Sequence, residues 1–304
     1  MKQLLIFFSL LFSTSIFLSQ DPIFYNVQQN KLFVNPAYTG TVESFSVAMN
    51  YRNQWPQSSA NYQTFTTEVN QYLGNGNGVS VLFSNDNAAN TLFKRELVLG
   101  YGKRFSFNEK HHLSLGIQLG FFAKRLDWDK ITFGDQIDPR RGFVYQSNDI
   151  PRGGSVFGLD FNAGLLYYNK FFFLGTSVKH LTQPNESVLG GVSRLPMLYS
   201  AQIGGKLLLN DLKILPSISA YQQGTFGPSI VYNLAYRYKG FQLDMGYWSG
   251  NGLTFGLGID FDNFSIGYIY GMSQSNFLNV SSHELRAVFK AKTFKKVNEH
   301  FFDF

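Results

Sequence analysis

The sequence predicts an all-β fold: a transmembrane, antiparallel, up-and-down β-barrel of about 14 strands in a bacterial outer membrane. Three observations lead to it. Charged residues are only 15% of the 304 and aromatic residues 17%, yet mean hydropathy is −0.11. Segment after segment alternates apolar and polar residues with period two. The links between these segments mostly alternate between short and long.

An average soluble domain is about 25% charged, and a helical membrane protein shows apolar runs of about 20 residues. A chain that is apolar on one face and small or polar on the other meets both numbers, as a membrane barrel does. The net charge of +6 comes from scattered basic residues, which argues against nucleic acid as a partner. Lys292, Lys295 and Lys296 do cluster, and they read as a solvated tail. The chain has no cysteine, which removes a disulfide framework, a thiol nucleophile and a thiolate metal site.

Residues 1–20 read MKQLLIFFSLLFSTSIFLSQ. One Lys before an apolar core is the pattern of a cleaved secretory signal peptide, with maturation near Gln20 or Asp21. Residues 21–43 have no strong periodicity and form a periplasmic N-terminal segment that caps the mouth or plugs the lumen. Residues 44–290 make the barrel, and residues 291–304 are a C-terminal tail or a terminal assembly signal ending in Phe304.

Within 44–290, the segment LTFGLGIDF (253–261) puts Leu253, Phe255, Leu257, Ile259 and Phe261 on one face. Thr254, Gly256, Gly258 and Asp260 fall on the other. Successive side chains of a strand point to opposite sides, and the glycines would each weaken a helix by about 1 kcal/mol. The same alternation predicts strands beginning near Ser44, Tyr62, Gly78, Phe93, His112, Val156, Phe171, Leu198, Leu212, Ser229, Phe241, Leu253, Phe264 and Ser282. Soluble sandwiches also alternate, but with shorter strands and charged outer faces; here the outward candidates are Leu, Phe, Ile and Tyr. In hydrocarbon every backbone polar group must be paired, so the sheet has to close.

Short links are expected at 74–77, 108–110, 169–170, 210–211, 239–240 and 262–263. They are rich in Asn, Asp and Gly, which tolerate the positive φ of tight hairpins. Longer links are expected at 54–61, 85–92, 126–155, 180–197, 222–228 and 272–281, with 249–252 a short exception. Short periplasmic turns and longer outer loops are the barrel pattern, and an even strand number predicts both termini in the periplasm.

No catalytic constellation stands out, so the protein is not expected to be an enzyme, and no cofactor or metal is expected. His111-His112 sits at a turn without an HExxH context. GNGNG (74–78) lacks the helix that a phosphate-binding loop needs. Asp127, Asp129, Asp135 and Asp138 are hard oxygen ligands, but their spacing matches no EF-hand, and a solvated outer loop is the plainer reading. Loops as long as 126–155 and 180–197 are usually functional or disordered, which makes both candidate partner-binding surfaces.

The segments NPAYTG (35–40) and YRNQW (51–55), following QDPIF (20–24), resemble the PorP/SprF family of type IX secretion system membrane proteins of the Bacteroidetes. His283-Glu284-Leu285 in the last strand is similar to that family too. The resemblance implies a non-catalytic outer-membrane component that helps deliver or anchor secreted adhesins, in some members for gliding motility. It also implies as partners a secreted adhesin or other type IX passenger, and the periplasmic ring and lipoprotein components, besides outer-membrane lipid. Candidate partner-binding residues are Asn35, Pro36, Tyr38, Arg52 and Trp55, with Arg140 and Arg141 in the longest loop. Read from the residues alone, Asn35-Pro36 is a turn before the first strand and Trp55 an aromatic anchor. The alternative function is an outer-membrane porin or a transporter of small hydrophobic solutes.

Overall fold

The computed structural model describes residues 21–25, 30–42, 44–59, 61–107, 110–138, 140–143, 153–225, 227–249, 252–272 and 281–291. The expected signal peptide and the tail beyond 291 lie outside these residues, as do 144–152 of the longest loop. Fourteen long strands make up the wall: β1 (Ser46–Gln54), β2 (Tyr62–Gly74), β3 (Asn77–Ala88), β4 (Leu92–Phe107), β5 (His111–Leu126), β6 (Ser155–Tyr168) and β7 (Phe172–Lys179). They continue as β8 (Leu198–Gly205), β9 (Leu212–Gln223), β10 (Ser229–Tyr238), β11 (Phe241–Trp248), β12 (Gly252–Asp260), β13 (Phe264–Met272) and β14 (Ser281–Lys290). Each pairs antiparallel with the next, and β1 pairs with β14, so the sheet closes on itself. The count of fourteen and the up-and-down order are those expected from the alternation.

Parity sorts the side chains. Along β4, Leu97, Leu99 and Tyr101 are exposed on the outer wall, while Val98, Gly100 and Gly102 are buried inside. Register carries the outer pattern around the barrel. Tyr236, Leu243, Leu257, Tyr268, Leu285, Tyr51 and Phe65 stand opposite one another in turn across seven strands. That apolar belt is the surface a bilayer requires.

The tight turns follow the expected chemistry. Asn75 (φ 51°) and Gly76 (φ 74°) join β2 to β3, and Lys239 (φ 46°) and Gly240 (φ 85°) join β10 to β11. Two consecutive positive φ values make the hairpin turn whose twist matches the flanking strands. Strand β8 breaks at Lys206, opposite Pro216's neighbourhood, and resumes over Leu207–Leu209 in the same register with β9. Proline has no N–H to give the ladder there.

Two expectations are corrected. Residues 85–92 do not form a long loop: Asn85, Asp86 and Asn87 belong to β3 and pair with Arg95, Lys94 and Phe93. Asp86 faces the lumen, where Thr64 donates a 2.6 Å hydrogen bond to it, while Asn85 and Asn87 have the outward parity of β3 and lie past Phe83, its last exposed apolar residue. The second correction concerns the chain ends. The even strand number does put Ser46 and Lys290 at one end, with the short turns. The segment before β1, however, runs through the lumen, so Asp21 lies at the opposite end, beside Lys179 and Gln223 where β7 and β9 reach the long loops. The two ends of the described chain therefore face opposite mouths.

Candidate functional site: a lumen filled by the chain's own N-terminal strap

The strap comprises residues 21–25 and 30–42. It enters at the long-loop end, makes one helical turn at Lys31–Val34 and a 3-10 turn at Pro36–Tyr38, and leaves at the short-turn end to start β1. Phe24, Leu32, Ala37 and Tyr38 are all at most 2% exposed. A strap without sheet or long helix must find partners for its backbone elsewhere, and the polar lumen supplies them. Gln118 donates to Leu32 O and Ser177 to Val34 O, while Glu68 accepts from Phe33 N and Asn70 from Gly40 N. Near the long-loop end Asn233 donates to Tyr25 O and Glu284 accepts from Tyr25 N.

The seat of residues 35–40 is a row of four glycines. Gly78, Gly102, Gly116 and Gly164 stand opposite one another on β3, β4, β5 and β6. Cβ atoms there would overlap Gly40, Thr39, Pro36 and Asn35 respectively. The row is a trough, and NPAYTG lies along it. Asn35, fully buried, caps the 3-10 turn by accepting from Ala37 N at 2.8 Å. Its amide donates to Leu165 O and Thr176 O on β6 and β7. Tyr38 donates to Gln202 at 3.1 Å, and Thr39 meets Ser80 at 2.9 Å.

The long-loop end is held by charge instead. Asp21 accepts from Lys179 at 2.9 Å and pairs with His180 at 2.8 Å, and His180 also meets Asp160 at 2.6 Å. Burial alone would lower the His180 pKa. The Asp21 charge, with hydrogen bonds to Asp160 and Asp21, outweighs burial and raises it to about 9. Burial would raise the Asp21 carboxyl, but His180 and Lys179 hold it well below the usual carboxylate range. Beside these groups, with Asp21 in its wall, a chamber of about 530 Å³ remains at the long-loop end. Arg52 reaches it from β1, 3.3 Å from Glu284, with the Tyr25 and Trp248 rings 5.0 and 5.5 Å from its guanidinium.

The residues expected to bind partners are thus distributed over three places. Asn35, Pro36 and Tyr38 are sealed in the lumen and engage the barrel's own wall. Arg52 and Trp55 line one chamber; Trp55 takes positive φ (58°) at the end of β1 and packs edge-on to Tyr62. Arg140 and Arg141 are exposed on the longest loop, their amides bonded to Asp138 in a small ladder of Ile137–Asp138 with Gly142–Phe143. From the sequence, Asp21 and Glu284 stood out only within the QDPIF and His283-Glu284-Leu285 segments and His180 and Glu186 only within the 180–197 loop, while Lys94, Lys124 and Lys179 were passed over. For Lys94 and Lys124 a signal existed: both share the inward parity of their strands, where a charge needs a partner.

A closed barrel with an apolar outer belt and a lumen filled by its own N-terminal strap defines an outer-membrane β-barrel protein. The sequence matches, over residues 16–289, the family described as Type IX secretion system membrane protein PorP/SprF. The chain belongs to that family. No curated protein matches it. Among solved structures it is similar to the Pseudomonas putida toluene transporter TodX, with 12% identity, 90% of this chain and 94% of that chain covered, and a TM-score of 0.46. A Pseudomonas aeruginosa FadL homologue matches with 11% identity, 84% and 92% coverage and a TM-score of 0.47.

Proposed function

We propose that this barrel is a non-catalytic outer-membrane component of type IX secretion that helps secrete adhesins or anchor them at the cell surface. Family membership over nearly the whole barrel is the observation that carries this reading. The filled lumen supports it as well, since residues 30–42 occupy the space that free diffusion would need. The long loops are taken to face outward, as in other outer-membrane barrels. The start of β1 and the end of β14 then face the periplasm, where the ring and lipoprotein components would meet the short turns, and Asp21 faces the exterior. Arg140 and Arg141, exposed on the longest loop, are offered as contacts for a passenger, and gliding motility is the process such adhesins would serve.

Deleting the gene and comparing surface and secreted proteomes tests the proposal. Loss of one or more adhesins from the surface is the expected result, with restoration on complementation. Unchanged display and unchanged secretion would overturn it. A porin or a transporter of small hydrophobic solutes has less support, because the described lumen is filled and its chamber is lined with charge. Steady conductance in planar bilayers would favour that reading instead.

A further inference from the structure

Glu186 lies on the loop between β7 and β8 and reaches down to Lys94 and Lys124, two residues of the chamber wall. It is 5% exposed, and each of its oxygens meets one ammonium: Lys94 at 2.7 Å and Lys124 at 2.9 Å. The loop around it is braced mainly within itself. Asn185 accepts from the amides of Ser187 and Ser193, Glu186 N donates to Ser193 O, and Leu195 N donates to Pro184 O. Its tip exposes Leu189 and Val192 at 60% and 80%. It is a preformed finger with one carboxylate inserted into the barrel.

The lysines impose a constraint. Lys94 has a second partner in Glu96 at 2.8 Å, whereas Glu186 is the one partner of Lys124 among the described residues. Lifting the finger leaves a nearly buried ammonium uncompensated, which is strongly unfavourable. Another carboxylate arriving in its place leaves the net charge unchanged. A further donor is ready: Arg52 is 2% exposed, lines the same chamber, and its Nη2 has no hydrogen-bond partner among the described residues. The remaining walls include Phe33, Trp55, Tyr62, Leu92 and Trp248. The chamber's volume of about 530 Å³ is that of a site for a small organic molecule or a short chain end.

We propose that this chamber is a receptor for an organic carboxylate with an apolar body, and that Glu186 is the built-in occupant of the Lys94–Lys124 clamp in its wall. The incoming carboxylate takes the Lys94–Lys124 clamp, Arg52 adds donors, the apolar body fills the aromatic side, and the finger lifts. This proposal does not depend on the secretion role. The ligand is either a free organic acid or the C-terminal end of a polypeptide.

The test uses the purified full-length barrel in lipid nanodiscs, with Trp128→Phe so that Trp55 and Trp248 report. The probes are N-acetyl-phenylalanine, acetyl-Ala-Ala-Phe with a free terminus, the amides of both, and inorganic phosphate. Saturable binding of at least one acid, and of neither amide, is expected; which acid binds assigns the source. Glu186→Gln removes the competitor and should tighten binding about tenfold or more, and Lys124→Met should weaken it by a similar factor. Equal binding of acid and amide, phosphate binding as tightly as either acid, or no acid binding to the folded wild-type protein would overturn the proposal. Heat-modifiable gel mobility establishes folding. Where a variant does not fold, the wild-type comparison of acid with amide decides.

Discussion

The two ends of the strap are held in different ways. Residues 35–40 rest in a glycine trough, fixed by shape and by neutral hydrogen bonds. Residues 21–25 are fixed by charge, through Asp21, Lys179, His180 and Asp160 at one mouth and through Glu284 beside Arg52. The trough has no tolerance for volume and is insensitive to pH. The clasp tolerates small shifts but depends on protonation. One end of the strap is therefore built to stay and the other to respond to conditions.

The sharpest way to break this contrast is to fill the trough. Gly164→Val puts atoms where Asn35 lies. Overpacking costs about 1–3 kcal/mol where the structure yields, and here expulsion of the strap is the expected outcome. Planar-bilayer recordings should change from closed to conducting. Asn35→Ala should come next. It loses the cap and both carbonyl contacts, at a cost of about 1–3 kcal/mol, read as a lower urea midpoint in lipid with the barrel still closed. If Asn35→Ala proves as damaging as Gly164→Val, shape is not what distinguishes the trough.

The fold was far more legible than the site. Period two in 253–261 and 157–167 gave the strands, and Asn-Gly and Lys-Gly pairs gave the hairpins, because both signals are local. Asn85, Asp86 and Asn87 misled because a strand turns polar on both faces where it runs past the apolar belt: Asp86 faces the lumen, and Asn85 and Asn87 follow Phe83 on the outer face. The strap's path was not readable, since residues 21–25 and 30–42 bind side chains scattered over most of the wall and the sequence of 21–43 carries no period of its own. The glycine row was hidden for a related reason. Gly78, Gly102, Gly116 and Gly164 are far apart in sequence and meet only when the register is fixed. NPAYTG was visible as a motif, but its partner was the barrel itself.

A milder perturbation separates the two ends by pH. Because the folded His180 pKa, about 9, lies above its ordinary 6.5, the clasp contributes fully below about pH 6.5 and weakens as pH rises through about 9. Asp21, held low, keeps its contribution well into acid. Trp248, edge-on to Tyr25 with ring centroids 5.5 Å apart, should report loosening near pH 9 in the Trp128→Phe protein, while the 35–40 contacts hold. A flat response from pH 7 to pH 10 would remove His180 from the clasp. The smallest effect is expected at Arg140→Ala, on an exposed loop: within about 0.5 kcal/mol of wild-type stability, with any change confined to adhesin display in cells.

The central claim, that the strap threads the closed barrel along the glycine row, is tested most directly by a disulfide. The chain has no cysteine, so Thr39→Cys with Ser80→Cys introduces a single pair where the native hydroxyls are 2.9 Å apart. If the strap lies in the trough, the folded protein should form this intramolecular bond nearly quantitatively, and it should stay closed in bilayers until reduced or longer. Folded barrels whose two thiols remain free under oxidising conditions would contradict the account.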